Sequence, residues 1–164
     1  MMSEDTLCKI FASKLVDSPD FTSWLLGQTK FKTLALQSKL LHEEQAIRPA
    51  KHWWRHWWCK VPELDAESET DIFVVFEIVG TKLRFALHIE CKLANGKFMK
   101  QQAQSYAFRG RHMLGKPKYL NYFDFETILV APDSFRSMYR SECNLFDRYI
   151  SFNQIAKFIP EFAN

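Results

Sequence analysis

Three side chains carry the strongest chemical signal in this chain: the carboxylates of Asp71 and Glu90 and the amine of Lys92. They flank a pattern that reads as two strands. Ile72, Val74, Phe76 and Ile78 alternate with polar or opposite-facing residues, and Leu83, Phe85, Leu87, Ile89 and Cys91 do the same after Gly80-Thr81. A two-residue Gly-Thr turn pairs Ile72 with Ile89, Val74 with Leu87, Phe76 with Phe85 and Ile78 with Leu83, which gives one apolar face for a core. A slip of one residue would exchange the faces. The same register sets Glu77 opposite Arg84, Asp71 opposite Glu90 and Glu69 opposite Lys92. Two carboxylates about 5 Å apart at Cβ repel unless a proton or a cation lies between them. A divalent metal is the economical answer: the carboxylates with the Ile89 or Cys91 backbone carbonyl offer the hard oxygen ligands that Mg²⁺ prefers. Lys92 would then orient or deprotonate a water, or stabilise a charged phosphorane.

These residues resemble a known family. Ser-Glu-Thr-Asp71, a hairpin, Ile89-Glu90-Cys91-Lys92-Leu93 and Gln102-x-x-x-Tyr106 are similar to the motifs of the PD-(D/E)XK nuclease superfamily, the restriction-endonuclease-like fold. The resemblance covers residues 69–106. It implies an α/β core with a mixed central sheet and a motif hairpin between helices, and Mg²⁺- or Mn²⁺-dependent hydrolysis of phosphodiesters in DNA or sometimes RNA. It also implies Asp71 and Glu90 as metal ligands, Lys92 as the catalytic lysine, and Gln102 as the glutamine on the helix after the motif strand. The expected metal set is Asp71, Glu90 and the Cys91 carbonyl. Two departures stand out. Thr70 precedes Asp71 in place of Pro, and Lys14 stands where many members carry a first-helix Glu, so Glu4, Glu43 or Glu44 would have to substitute.

Other elements must position this set. Residues 98–113 read as a helix in which Ala103, Ala107 and Gly110 form a small-residue stripe able to lie close against a sheet. Gln102, Tyr106 and Arg109 form the neighbouring stripe. Gln102 would position water or backbone and Arg109 would pair with phosphate oxygens; otherwise the stripe is a half-exposed helix edge, the reading preferred for Tyr106. Arg109, Arg111 and Lys116 are the expected nucleic-acid contacts on a basic rim. His88 faces the Glu90 side and is read as a satisfied surface residue within possible reach of the site.

A helix from Pro49 through residue 59 would stack Trp53 on Trp57 and Trp54 on Trp58, flanked by cations. Such aromatics can stack on unpaired bases. The reading preferred is one Trp pair in the core and the other at a homodimer or partner interface. His52 and His56 have zinc-helix spacing but lack the accompanying glutamate. Two helices are expected over 2–16 and 18–26, the stretch 34–45 fits neither period, and 62–68 reads as an acidic loop. A strand ends at residues 128–131, and helices follow over 134–140 and 151–158.

Composition bounds these readings. With 164 residues, 47% hydrophobic and 25% charged, the chain suits a single domain over 1–164 rather than a disordered or fibrous protein. A net charge of +3 permits a polyanionic partner without demanding one. Four scattered cysteines, Cys8, Cys59, Cys91 and Cys143, suggest buried thiols rather than zinc or disulfides. No apolar run reaches membrane-span length, and acidic Glu4 and Asp5 stand where a signal peptide carries positive charge, so a soluble cytoplasmic protein is expected. Walker, GxGxxG and GxSxG motifs are absent from the sequence. The leading expectation is a nuclease acting on DNA more than RNA, in prokaryotic DNA processing or defence; the alternative is an inactive module of the same fold that binds nucleic acid or a protein.

Overall fold

The computed structural model of the chain describes residues 2–163. Helix α1 (Glu4–Asp17) is capped by Ser3, whose hydroxyl accepts from Thr6 N, and α2 (Pro19–Gly27) by Ser18, whose hydroxyl accepts from Phe21 N. Both start where a hydroxyl satisfies an otherwise free helix N–H, and Pro19 enters the first turn at no hydrogen-bond cost. The ambiguous stretch after them resolves into a 3-10 turn (Lys32–Gln37), a short strand β1 (Ser38–Leu40) and a single helical turn α3 (His42–Gln45).

The centre is an antiparallel hairpin, β2 (Ile72–Ile78) and β3 (Arg84–Cys91), in the register that the hydrophobic alternation favours. Ile72 pairs with Ile89, Val74 with Leu87, Phe76 with Phe85 and Glu77 with Arg84. Helix α4 (Gln102–Met113) crosses back to β4 (Asp124–Ala131), which lies parallel to β3, and short helices α5 (Asp133–Met138) and α6 (Arg140–Cys143) lead to β5 (Arg148–Ser151), parallel to β4. The last turn is α7 (Phe152–Ile155). The fold is therefore α/β, a five-stranded mixed sheet in the order β1-β2-β3-β4-β5 with helices on both sides.

The alternation assigns each sheet residue to a face. Ile72, Val74, Phe76, Leu87, Ile89 and Cys91 join α1, α2 and the C-terminal residues in one core. Phe73, Val75 and Ala86 face α4 with Met113, Tyr119 and Tyr122 in a second, while Tyr106, Leu129 and Phe135 centre a third beneath α5 and α6. Glu90 and Lys92, out of phase with Ile89 and Cys91, thus belong to the α4 side.

Several expected elements differ. Residues 49–59 form no helix. Their backbone is used by tertiary partners instead: Trp54 O accepts from Phe73 N, Cys59 bridges to Ser68, and Arg48 donates to the carbonyls of His52, Arg55 and His56, the last in the left-handed region at φ 63°. Trp54 joins the α1 core and Trp57 the α4 core, Trp53 is half-buried, and Trp58 stays 45% exposed, so the two stacked Trp pairs do not form. Helix α4 starts at Gln102 rather than near residue 98 because Gln101 adopts φ 62°. The expected 151–158 helix is shortened to the single turn α7, which follows β5 directly. The 134–140 helix breaks at Tyr139 into α5 and α6. Glu69 does not reach Lys92; it pairs with His56 at 3.1 Å and with Arg55 at 3.8 Å, because the ladder ends at Ile72.

Candidate active site

Asp71, Glu90, Lys92 and Gln102 converge where the hairpin's open end meets the start of α4. Lys92 Nζ lies 2.8 Å from Glu90 Oε1, and Gln102 Nε2 donates to the same oxygen at 2.8 Å. Gln102 Oε1 accepts from Met99 N at 3.0 Å, which fixes which end of the amide faces Glu90. Tyr106, one helical turn after Gln102, donates its hydroxyl to Glu90 Oε2 and accepts from Asp71 N at 3.1 Å. Asp71 Oδ2 in turn accepts from Cys91 N at 3.1 Å, so both strand ends and the helix are tied through these carboxylates.

Burial makes the arrangement electrostatically tense. Glu90 is 1% exposed and Lys92 6%, whereas Asp71 is half-buried. The Asp71 carboxyl is pushed well above its ordinary range, first by burial and then by the charge of Glu90, against which the Cys91 N–H, Lys92 and Arg55 pull the other way. Burial opposes the charge on Lys92, yet Glu90, with Glu4 and Asp71 beyond it, outweighs that cost and raises its pKa. Lys92 is therefore an ammonium at neutral pH, a donor and point charge rather than a base. The Tyr106 hydroxyl is raised well above its usual value by burial and by Glu90, which keeps it a proton donor.

The hard-oxygen donor set fits a divalent cation: two carboxylates, one of which cannot comfortably carry its charge beside the other. Among the described residues no group of three or more His, Cys, Asp and Glu side chains is gathered for a metal, so the set is a two-carboxylate one. The Cys91 backbone is tied to the site by its N–H on Asp71. Its side chain points to the opposite face, where the thiol hydrogen-bonds that of Cys8 on α1 and burial helps hold it well above its ordinary pKa. All four cysteines are free and buried. Of the three carboxylates considered for the first-helix role, Glu4 is the one at the site's edge. Its Oε1 accepts from Leu93 N at 3.2 Å, and a Cβ on Gly96 would sit 2.9 Å from it. Glu44 pairs with Arg84 instead.

The other expected contacts are elsewhere. Arg109 is fully buried; it donates to Thr70 at 3.0 Å, Ser68 at 2.8 Å and Ser105 at 3.0 Å, and so is closed to phosphate. Arg111, nine residues past Gln102, lies about 13 Å further along the helix. Lys116 contacts His112 at 2.9 Å near the Tyr122 end of the sheet, away from Glu90. His88 is a core residue, not a surface one. It sits between Thr70 at 2.8 Å and Tyr122 at 3.2 Å, and burial, with Arg109 nearby, drives its pKa well down into the neutral form.

Two features were invisible to sequence reasoning, and Tyr106, expected at a half-exposed helix edge, is buried in the site. Tyr106 bridges both acidic residues, although its four-residue spacing from Gln102 already set it on the same helix face. Arg55 stands at the mouth, 2.6 Å from Asp5 and 3.8 Å from Glu69. A cleft of about 310 Å³, lined among others by Ser68, Glu69, Lys100, Gln102 and Ser105, opens beside Gln102. No family model, curated protein or solved structure matches the chain. Among the described residues no helix is long and apolar enough to cross a membrane.

Proposed function

We propose that the protein is a metal-dependent phosphodiesterase, a nuclease built on a restriction-endonuclease-like core, with Mg²⁺ or Mn²⁺ held by Asp71, Glu90 and the Cys91 carbonyl. The observation that carries this reading is the convergence of Asp71, Lys92 and Gln102 on one buried carboxylate, Glu90. Burial beside a like charge, which disfavours the Asp71 carboxylate, is an arrangement that clusters at functional sites. A mixed α/β sheet with the acidic hairpin opening towards the start of a helix agrees with the core that the motifs imply.

In this reading a divalent cation held by Asp71 and Glu90 would supply Lewis-acid chemistry towards a phosphoryl oxygen and water. Lys92, an ammonium, donates to the phosphate oxygens on which charge develops. Gln102 and Tyr106 fix the Glu90 carboxylate, and Tyr106 also holds the Asp71 backbone. DNA is the expected substrate ahead of RNA, in a setting of prokaryotic DNA processing or defence.

The near-complete burial of Glu90 and Lys92 favours a second reading, a nuclease-fold module that binds nucleic acid or a protein without cutting. One assay separates them. Single- and double-stranded DNA and RNA are incubated with Mg²⁺, Mn²⁺ or EDTA and the parent, Lys92→Ala or Asp71→Asn protein. The nuclease reading expects cation-dependent cleavage that falls at least about 100-fold in both variants. Tight binding with no cleavage in any cation would leave the module.

A further inference from the structure

A second cleft, of about 520 Å³, lies between the 47–58 segment and the Pro117–Tyr119 turn. Its aromatic wall is Trp57 and Trp58. Trp57 is buried with the Arg48 guanidinium 3.8 Å from its ring centroid, while Trp58 leaves 45% of its surface free. Ile47, 81% exposed, and Pro117 complete an apolar surface. Such exposed aromatic area is costly to leave in water, and Trp58 is not needed to seal either core.

The charge around the cleft has one sign. Arg48 and Lys118 line it, and the hydrogen bonds of Arg48 go to backbone carbonyls, which neutralise nothing. The one carboxylate at the rim, Glu44, is engaged by Arg84 through two bonds of 2.8 and 3.0 Å. A flat π surface between fixed cations matches a base with its flanking phosphates rather than an apolar protein face.

Hydrogen bonds also tie the lining of the cleft to the elements of the candidate active site. His56, on its near wall, holds Glu69 at 3.1 Å, and Glu69 is two residues from Asp71. Gln45, on its floor, bonds Phe73 and Val75 of β2. Val75 is four strand residues from Asp71, about 13 Å. Lys118, two residues past Lys116 of the expected basic rim, lines this cleft.

We propose that this cleft is a substrate subsite in which an unpaired base of a single-stranded polynucleotide stacks on Trp58, its phosphates held by Lys118 and by the field of Arg48. The subsite rests on the nuclease reading for its purpose but not for its existence. A base already paired and stacked in a duplex cannot present its face to Trp58, so the subsite favours single strands or frayed ends.

Fluorescence anisotropy tests it on the full chain in EDTA, with labelled oligo-dT, oligo-U and a DNA duplex of equal length as probes. The expected result is tighter binding of single strands than of duplex, weakened about 10-fold in Trp58→Ala and restored in Trp58→Tyr. The Lys118→Ala variant should lower the slope of log affinity against log salt by about 0.7. Preference for oligo-U over oligo-dT, or the reverse, assigns the strand to RNA or DNA and supports the subsite either way. Unchanged binding in Trp58→Ala, or duplex preferred over single strand, overturns it. So does a dimer seen by sedimentation without nucleic acid that Trp58→Ala dissociates, since the surface would then be a subunit interface. Cleavage in Mn²⁺ with Trp58-independent binding sinks the subsite alone, while Trp58-dependent binding without cleavage in any cation sinks only the nuclease reading.

Discussion

Glu90 receives three donors, from Lys92, Gln102 and Tyr106, and this fixes what each of them can be. A carboxylate that only accepts satisfies all three; any side chain with its own N–H would oppose at least one. Replacing Tyr106 by Phe leaves a buried carboxylate oxygen and the Asp71 N–H without their partner, at a cost of about 1–3 kcal/mol in denaturant unfolding, with a fall in any cleavage rate besides. Asp71 behaves oppositely. Its raised folded-state pKa means that the native protein binds this proton more tightly than the unfolded chain, so the group's favourable contribution is full below its ordinary value near 3.8 and is lost as pH rises through the folded value. Asp71→Asn removes that loss. Without added metal its Tm at neutral pH should exceed the parent's by about 3 °C per kcal/mol of repulsion relieved, with the difference vanishing at acid pH. A variant less stable than the parent at neutral pH would show that Asp71 is an ordinary structural partner. Asp71, Glu90 and Lys92 were legible because a tight turn and strict alternation fix a local register, and Gln102 because it lies on a helix stripe that the resemblance singles out. Arg109 was not: its three hydroxyl partners sit at 68, 70 and 105, and nothing in its own neighbourhood shows that it turns inward.

At the scale of elements, legibility followed the range of the interactions that decide each one. The hairpin, α1 and α2 depend on caps, turn and period, all encoded within a few residues. The 49–59 segment has helical spacing of its Trp residues, yet the open edge of β2 next to Asp71 and the Arg48 guanidinium offer its backbone better partners than a marginal short helix would. The face that α4 lays on the sheet was legible from its small-residue stripe, although its start was not, and Gly110 shows why. A Cβ there would collide with the Phe125 ring of β4, so only a hydrogen lets the helix approach closely enough for Gln102 and Tyr106 to reach Glu90. Gly110→Ala gains helix propensity yet must push α4 and β4 apart; a net destabilisation of about 1–3 kcal/mol is expected, together with weaker cation-dependent cleavage. A variant more stable than the parent would mean that Phe125 turns aside freely and that the helix is not held by this contact.

Across the whole molecule, the two carboxylates lie where the α1 core, the α4 core and the α5–α6 core meet. Hydrophobic packing on three sides therefore holds together two groups that would separate if free, and the strain cannot relax without opening a core. Above the folded pKa of Asp71, where its proton is lost, binding a cation relieves it while leaving the packing intact. Mn²⁺ should accordingly stabilise the folded state, by about 2.7 kcal/mol at 100 times its Kd, seen as a rise in Tm. The pH dependence has a definite sign. Because Asp71 holds its proton above its ordinary range, Mn²⁺ must displace that proton, so the Tm rise should be large at mildly alkaline pH and shrink as pH falls through the folded pKa. Asp71→Asn, already relieved of the repulsion and short of one ligand, should be more stable than the parent without Mn²⁺ and gain little from it. Equal Mn²⁺ shifts in parent and Asp71→Asn, or a shift that grows as pH falls, would mean that the cation binds elsewhere and that the buried pair serves the fold alone.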